Sequence, residues 1–348
     1  MKRFSFTDII KNMNNNMHQW LLELKTANEK KAMPILSFPC IQLMGISVKD
    51  LIFNSDNQAR GIKLIADKTD NAAAVSLMDL SVEAECFGSE IRISDDEVPS
   101  VIGSIVPDLE AAKLLKLPSI GSGRTSIYIE AARKTAQLIQ DRPVFAGCIG
   151  PFSLAGRLVG LSEAMILCYE DPDMMNIVLS KATEFLVSYA REYKKTGVNG
   201  IIIAEPAAGL LSPGLAEEFS HPYVKKIVQA VQDESFIVIY HNCGNSTIHM
   251  IDSILEINAD MYHFGNAIDM SEMLKHIPEN TIVMGNIDPA KQFRNGTSAS
   301  VREVTLDLMT KCCSYSNFVV SSGCDIPPMS PWENINSFFR AVKDFYNN

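Results

Sequence analysis

Three residues of this chain have the types and the spacing of a metal site. His241 and Cys243 stand two apart in Ile-Val-Ile-Tyr-His-Asn-Cys-Gly (237–244), where a short β-branched run ends. Cys324 stands in Phe-Val-Val-Ser-Ser-Gly-Cys-Asp (318–325), at the end of another such run. Residues i and i+2 of an extended chain project from one face, so a single strand end offers an imidazole and a thiolate together. A neutral imidazole with two thiolates is a common ligand set for zinc, and three protein ligands leave the fourth tetrahedral position open to a substrate. Taken singly, each of these residues reads as core packing or a backbone cap. The recurrence of the same chemistry at two strand ends is what points to a catalytic zinc site.

The elements that must position these ligands are legible as eight short apolar, β-rich runs, at 33–38, 72–78, 143–149, 200–204, 236–240, 261–264, 281–284 and 317–321. Helical patterns lie between them. Asp171-Pro172 has the form of an N-cap followed by proline at the first helical position, and Val178, Ala182, Phe185, Leu186, Tyr189 and Tyr193 then share a face before Gly197. Ser212-Pro213 opens a further helix in the same way. Strands alternating with helices imply parallel βαβ units, and eight units close most simply into a single-domain (β/α)8 (TIM) barrel, with a doubly wound open sheet as the alternative. Residues 1–31, with Asn14, Asn15 and Asn16 ahead of Trp20 and Leu21, read as an N-terminal helical extension laid outside the barrel.

Composition bounds the function. The chain has 348 residues, 47% of them hydrophobic, a mean hydropathy of +0.05 and a formal net charge of −10. That acidity argues against nucleic acid, whose phosphates need a basic face. No apolar run approaches the ~20 residues of a membrane span. The opening Met-Lys-Arg-Phe-Ser-Phe-Thr-Asp lacks the apolar core of a signal peptide, so a cytoplasmic location is the expectation. Eight cysteines without regular spacing read as free thiols. No dinucleotide fingerprint follows an early strand and no phosphate loop occurs, so a nucleotide cofactor has no support.

In a barrel of this kind the active site lies at the C-terminal ends of the strands. His241, Cys243 and Cys324 all fall there, and so do Asp79, Glu205, His263, Asn266, Asn286 and Asp288. Most of these should cap or line the site. Glu205, in Ala-Glu-Pro-Ala-Ala-Gly, is open to three readings: a loop hydrogen bond, a fourth ligand displaced by substrate, or a nearby base. Asp79 and Glu205 are the two candidate catalytic carboxylates. Cys312-Cys313 falls in a helical stretch and reads as packing.

Several segments resemble the uroporphyrinogen decarboxylase superfamily: Leu-Met-Asp-Leu-Ser-Val-Glu-Ala-Glu-Cys-Phe-Gly (77–88), Gly-Pro-Phe-Ser (150–153) and Gly-Cys-Asp-Ile-Pro-Pro (323–328). The resemblance extends over nearly the whole chain. Within that superfamily, His-x-Cys followed by a distant Cys resembles the cobamide methyltransferase branch, which includes methylcobamide:coenzyme M methyltransferases. The resemblance implies a zinc-dependent barrel, with His241, Cys243 and Cys324 as the zinc ligands. It also implies methyl transfer from a methylated corrinoid, carried on a separate corrinoid protein, to a zinc-activated thiol.

The decarboxylase branch, by the same resemblance, carries an arginine-rich stretch after its first strand and a histidine in place of Cys324. Here Phe-Pro-Cys-Ile-Gln-Leu-Met-Gly (38–45) has no cation, and the next arginine is Arg60. A multiply anionic tetrapyrrole held there would leave carboxylates buried and unpaired, at several kcal/mol each. Asp79 matches the acidic residue that the decarboxylases use at pyrrole nitrogens, so a decarboxylase-like lyase is one alternative. Others are homocysteine or another thiol as acceptor, and a zinc- or corrinoid-binding protein without turnover. Arg157 and Lys291 are the candidate anion contacts for an acidic thiol, set against a reading of both as solvated surface charges.

Overall fold

The computed structural model describes residues 16–347. Its strands are β1 (Ala74–Val75), β2 (Glu90–Arg92), β3 (Ser100–Ile102), β4 (Val144–Ile149), β5 (Gly200–Ala204), β6 (Ile237–Asn242), β7 (Met261–Phe264), β8 (Ile282–Ile287) and β9 (Phe318–Ser322). Seven of them form one parallel sheet in the order β1-β4-β5-β6-β7-β8-β9. Each strand joins beside its predecessor after a helical crossover, and always on the same side, so the sheet curls and buries both faces. That is why its strands are continuous apolar runs: every residue of β4, β5, β6, β7 and β9 is buried.

The first expected strand, 33–38, carries no ladder of its own. Pro34 has no N–H to give, and the Ile35 N–H goes to the Ser322 hydroxyl at 3.0 Å instead of to a neighbouring strand. The segment nevertheless reaches both outer edges of the sheet. Ala72 N donates to Ala32 O at 2.8 Å, and Met33 N donates to Val320 O at 3.0 Å. The antiparallel pair β2–β3 was not expected. Its strands are three residues long and largely solvated, so no apolar alternation announces them.

Side chains alternate between two cores. Ile202, Ala204, Ile237, Ile239, Met261, Ile282, Met284 and Val319 face the inside of the curl, whereas Ile201, Ile203, Val238, Tyr240, Tyr262, Val283 and Val320 face the surrounding helices. The helix Met17–Thr26 belongs to the inner core. Asn16 caps it by accepting from Gln19 N at 2.9 Å. Met17, Trp20 and Leu24 then pack against the inward side chains, with Trp20 5.6 Å from Phe145 between ring centroids. One face of the N-terminal helix is therefore packed against the inner core while His18, Gln19 and Leu22 stay exposed on the other, and residues 1–15 lie outside the described range. Its apolar face has nowhere else to go, since burying a tryptophan there is worth ~3 kcal/mol or more.

In the outer layer the helix Pro172–Lys195 starts as expected, with Asp171 accepting from Met174 N at 3.0 Å and Tyr189 and Tyr193 buried on its inner face. Ser212 likewise caps the helix Pro213–Phe219. Among the described residues no single helix is long and apolar enough to cross a membrane.

Candidate metal centre

Inward alternation along β6 delivers the first two candidate ligands. Ile237 and Ile239 face the inner core, and the same parity carries His241 and then Cys243 to the strand's C-terminal end. Asn242, facing the other way, shapes the turn between them: its Oδ1 accepts from Gly244 N at 2.9 Å and from Thr247 Oγ1 at 3.0 Å. Beyond β9, Gly323 lets the chain pass against Asn266 and places Cys324 beside them. The donor atoms of His241, Cys243 and Cys324 all lie within 4.8 Å of one another. Gly265 backs the group closely, since a Cβ there would fall 2.5 Å from Cys243 Cβ and 2.6 Å from its Cα.

The donor set fits a soft divalent cation. His241 Nε2 is buried without a hydrogen-bond partner, an atom that a metal bond would satisfy. The two thiols lie side by side, and the interaction between them lowers the Cys243 pKa and, together with burial, pushes Cys324 up to about 12. A cation in their midst would favour the thiolate form of both. Asp325, next to Cys324, has both carboxylate oxygens buried without partners, and burial holds its pKa well above the carboxylate range.

His263 is the inward residue of β7 in register with His241. It is fully buried, its Nδ1 lies 2.6 Å from His241 Nδ1, and its Nε2 lies 2.8 Å from Ser322 O. Burial, with His241 beside it, holds its pKa well below the usual imidazole value.

The two candidate carboxylates are both occupied. Asp79 Oδ2 pairs with Arg124 and accepts from Tyr128 Oη at 2.7 Å, while Oδ1 accepts from Ser81 N at 3.1 Å and Ser81 Oγ at 2.5 Å. Arg124 also donates to Glu85 at 2.6 Å and Ser81 at 2.8 Å. Glu205 accepts from Phe152 N at 2.7 Å, Ser153 N at 2.8 Å and Ser153 Oγ at 2.5 Å, so it caps the helix Pro151–Val159. Burial still pushes its carboxyl up to about 7 against those donors. Of the three readings of Glu205, the loop hydrogen bond is the one these contacts match.

Other strand-end residues hold loops. Asn286 Nδ2 donates to Gly265 O at 3.0 Å and Ile268 O at 2.9 Å, which fixes the loop behind Cys243. Asp288 caps the turn at Pro289–Arg294 by accepting from Lys291 N at 2.8 Å. Asn266 and Lys291 are exposed. Arg157 is only partly exposed, and its buried Nε has no partner, so it is not a simple solvated charge. Cys312 is fully buried at a helix end, as packing requires. Arg124, Tyr128, Ser81 and Ser153 were missed. Arg124 had one available signal, a lone cation after Gly121-Ser122-Gly123 at the start of a helix, Thr125–Leu138.

The chain belongs to the uroporphyrinogen decarboxylase (URO-D) family, which matches residues 30–345. It is similar to the methylcobamide:CoM methyltransferase MtbA of Methanosarcina acetivorans, with 29% identity over 272 residues, covering 77% of this chain and 78% of the relative. It is also similar to the uroporphyrinogen decarboxylase of Coxiella burnetii, with 24% identity over 286 residues, covering 78% and 77%. Among solved structures, a methyltransferase from Methanosarcina mazei superposes with a TM-score of 0.83 at 22% identity, covering 95% of this chain and 99% of that one. That likeness concerns the fold.

Proposed function

We propose that this protein is a zinc-dependent methyltransferase that moves a methyl group from a methylated corrinoid, carried on a separate protein, to a small thiol such as coenzyme M. The observation that carries the proposal is the convergence of His241, Cys243 and Cys324 at one end of the curled sheet, with the imidazole Nε2 left unpartnered. Bound there, zinc would hold an incoming thiol as its thiolate near neutral pH, although a free alkyl thiol titrates at about 8.5. The three side chains leave one tetrahedral position for that sulfur.

The rest of the chain positions and shields. Gly265 and Asn286 fix the backbone behind Cys243, and Asn242 shapes the turn that turns its sulfur toward His241. Asp79 and Glu205 act as anchors: Asp79 holds Arg124 and Tyr128 in place, and Glu205 ties the end of β5 to the helix that follows β4. Asp79 has donors on all four of its lone pairs and Glu205 on three of its four, and transfer of a methyl group between a corrinoid and a thiolate needs no carboxylate for acid–base work. The relatives named for methylcobamide and CoM support this reading. The absence of cations from 38–45 and the commitment of Arg124 to Asp79 and Glu85 weigh against a tetrapyrrole polycarboxylate.

The test is to incubate purified protein with methylcobalamin and a panel of thiols, including coenzyme M and homocysteine, and to follow the methyl–cobalt absorbance. Thiol-dependent demethylation is expected. No demethylation with any thiol, together with carbon dioxide release from uroporphyrinogen, would overturn the proposal.

A further inference from the structure

We infer that His263 is a positioning residue that decides which nitrogen of His241 is offered to the metal. The inference rests on the reading of His241 as a ligand but concerns a proton that is in place before any metal arrives.

His241 and His263 are register partners on adjacent parallel strands, and both point inward, so their rings meet edge to edge. The Nδ1–Nδ1 distance of 2.6 Å allows only one proton between the rings, and the outer contacts of His263 decide which ring owns it. His263 Nε2 lies 2.8 Å from Ser322 O, and a carbonyl oxygen can only accept, so Nε2 carries a hydrogen. Ser321 Oγ, 3.0 Å from the same nitrogen, spends its own hydrogen on Met33 O at 2.8 Å and faces His263 as an acceptor too. Neither nitrogen of His263 meets a carboxylate, and a fully buried imidazolium without one would be costly, so the ring is neutral. A neutral imidazole protonated at Nε2 has its lone pair at Nδ1. The shared proton therefore sits on His241 Nδ1, which also lies 3.2 Å from His263 O.

The consequence falls on the opposite side of the His241 ring. With Nδ1 protonated, Nε2 holds the lone pair, and this is the buried, unpartnered atom beside the two sulfurs. Donation from Nδ1 into a second acceptor also raises the basicity of a ligating imidazole. The strand that leads to Cys324 thus sets the tautomer of His241 through Ser322 and His263. Nothing in the sequence signals this, because a histidine at 263 satisfies the inward parity of any strand residue.

The experiment combines a metal-free and a metal-bound readout. In metal-free wild-type protein, 15N NMR of the His241 ring should show Nδ1 protonated and Nε2 bare. His263→Leu removes the acceptor and should give both tautomers, with zinc affinity, read by chelator competition, weaker by about 10–100-fold. His263→Asn returns an acceptor oxygen near the Nδ1 position and should stay within a few-fold of wild type, which a loss of packing alone would not produce. An Nε2-protonated His241 in the metal-free wild type would overturn the inference, as would unchanged zinc affinity in His263→Leu. Should His263→Leu fail to fold, the wild-type spectrum still decides. Absence of zinc binding by the wild type would sink the metal reading instead, and the same spectrum would separate the two failures.

Discussion

Asp79 and Arg124 form an ion pair sealed from solvent, their side chains 0% and 2% exposed. Tyr128, Ser81 and Glu85 complete the hydrogen bonds of the pair. Breaking such a pair from one side leaves a buried charge uncompensated, whereas replacing both partners by apolar groups of similar volume is often tolerated. Asp79→Asn should therefore lower stability by about 3–5 kcal/mol, measured by urea unfolding, and Asp79→Leu combined with Arg124→Met should recover much of that loss. An Asp79→Asn protein as stable as wild type but inactive in methyl transfer would instead put Asp79 against the substrate.

Metal content tests the donor set directly. Protein purified without chelator should carry about one zinc per chain, and Cys243→Ser or Cys324→Ser should strip it, because each removes one of three protein ligands. Cys313→Ser, whose sulfur contacts Tyr346 Oη at 3.8 Å, should keep its zinc. Full occupancy in both ligand variants would rule these residues out.

Glu83 supplies a pH dependence. It is buried, Oε1 accepts from Ile149 N at 3.0 Å, Oε2 has no partner, and burial raises its carboxyl from 4.5 to about 7. Between those values the folded protein keeps a proton that the unfolded chain releases, so stability is greatest below about 4.5 and falls as pH rises through 7. Glu205 pulls in the same direction, also to about 7. Glu83→Gln should flatten the decline between pH 5.5 and 8 by about 1–3 kcal/mol relative to wild type. Parallel pH profiles for the two proteins would show that Glu83 is ionised throughout.

A methyl group at position 265 would collide with the backbone of Cys243, not with a flexible side-chain tip. Gly265→Ala should cost about 1–3 kcal/mol of stability. Because Cys243 itself must shift, zinc affinity should fall as well. Gly214→Ala, in the helix Pro213–Phe219 where nothing lies within 4 Å, is the control that should lose no stability and leave zinc affinity unchanged. Equal behaviour of the two variants would mean that the loop gives way without moving the ligand.

What was legible in the sequence followed from periodicity and residue type. Seven of the eight expected strands are present because a parallel strand buried on both faces must be an apolar run, and the candidate ligands His241, Cys243 and Cys324 lie together at the strand ends. The eighth run, 33–38, is equally apolar, but Pro34 and the Ser322 hydroxyl take the places of ladder bonds. Asp79 and Glu205 could be found but their partners could not. Arg124 is 45 residues from Asp79 and Ser153 is 52 from Glu205, and no local pattern marks a contact across such distances. His263 was visible as an inward polar residue. Its bond to His241 depends on the register between β6 and β7, which a single sequence does not reveal.

The bond from Ile35 N to Ser322 Oγ spans 287 residues of chain. The contacts that tie this segment to the β9 edge are thus among the most remote the molecule makes, and their loop-closure entropy must be met before they yield any stabilisation. Cys324 lies two residues beyond that junction. The donor set therefore draws on the far end of the chain: the strands up to β7 by themselves would offer a metal only His241 and Cys243, and the third donor comes into reach when β9 pairs with β8.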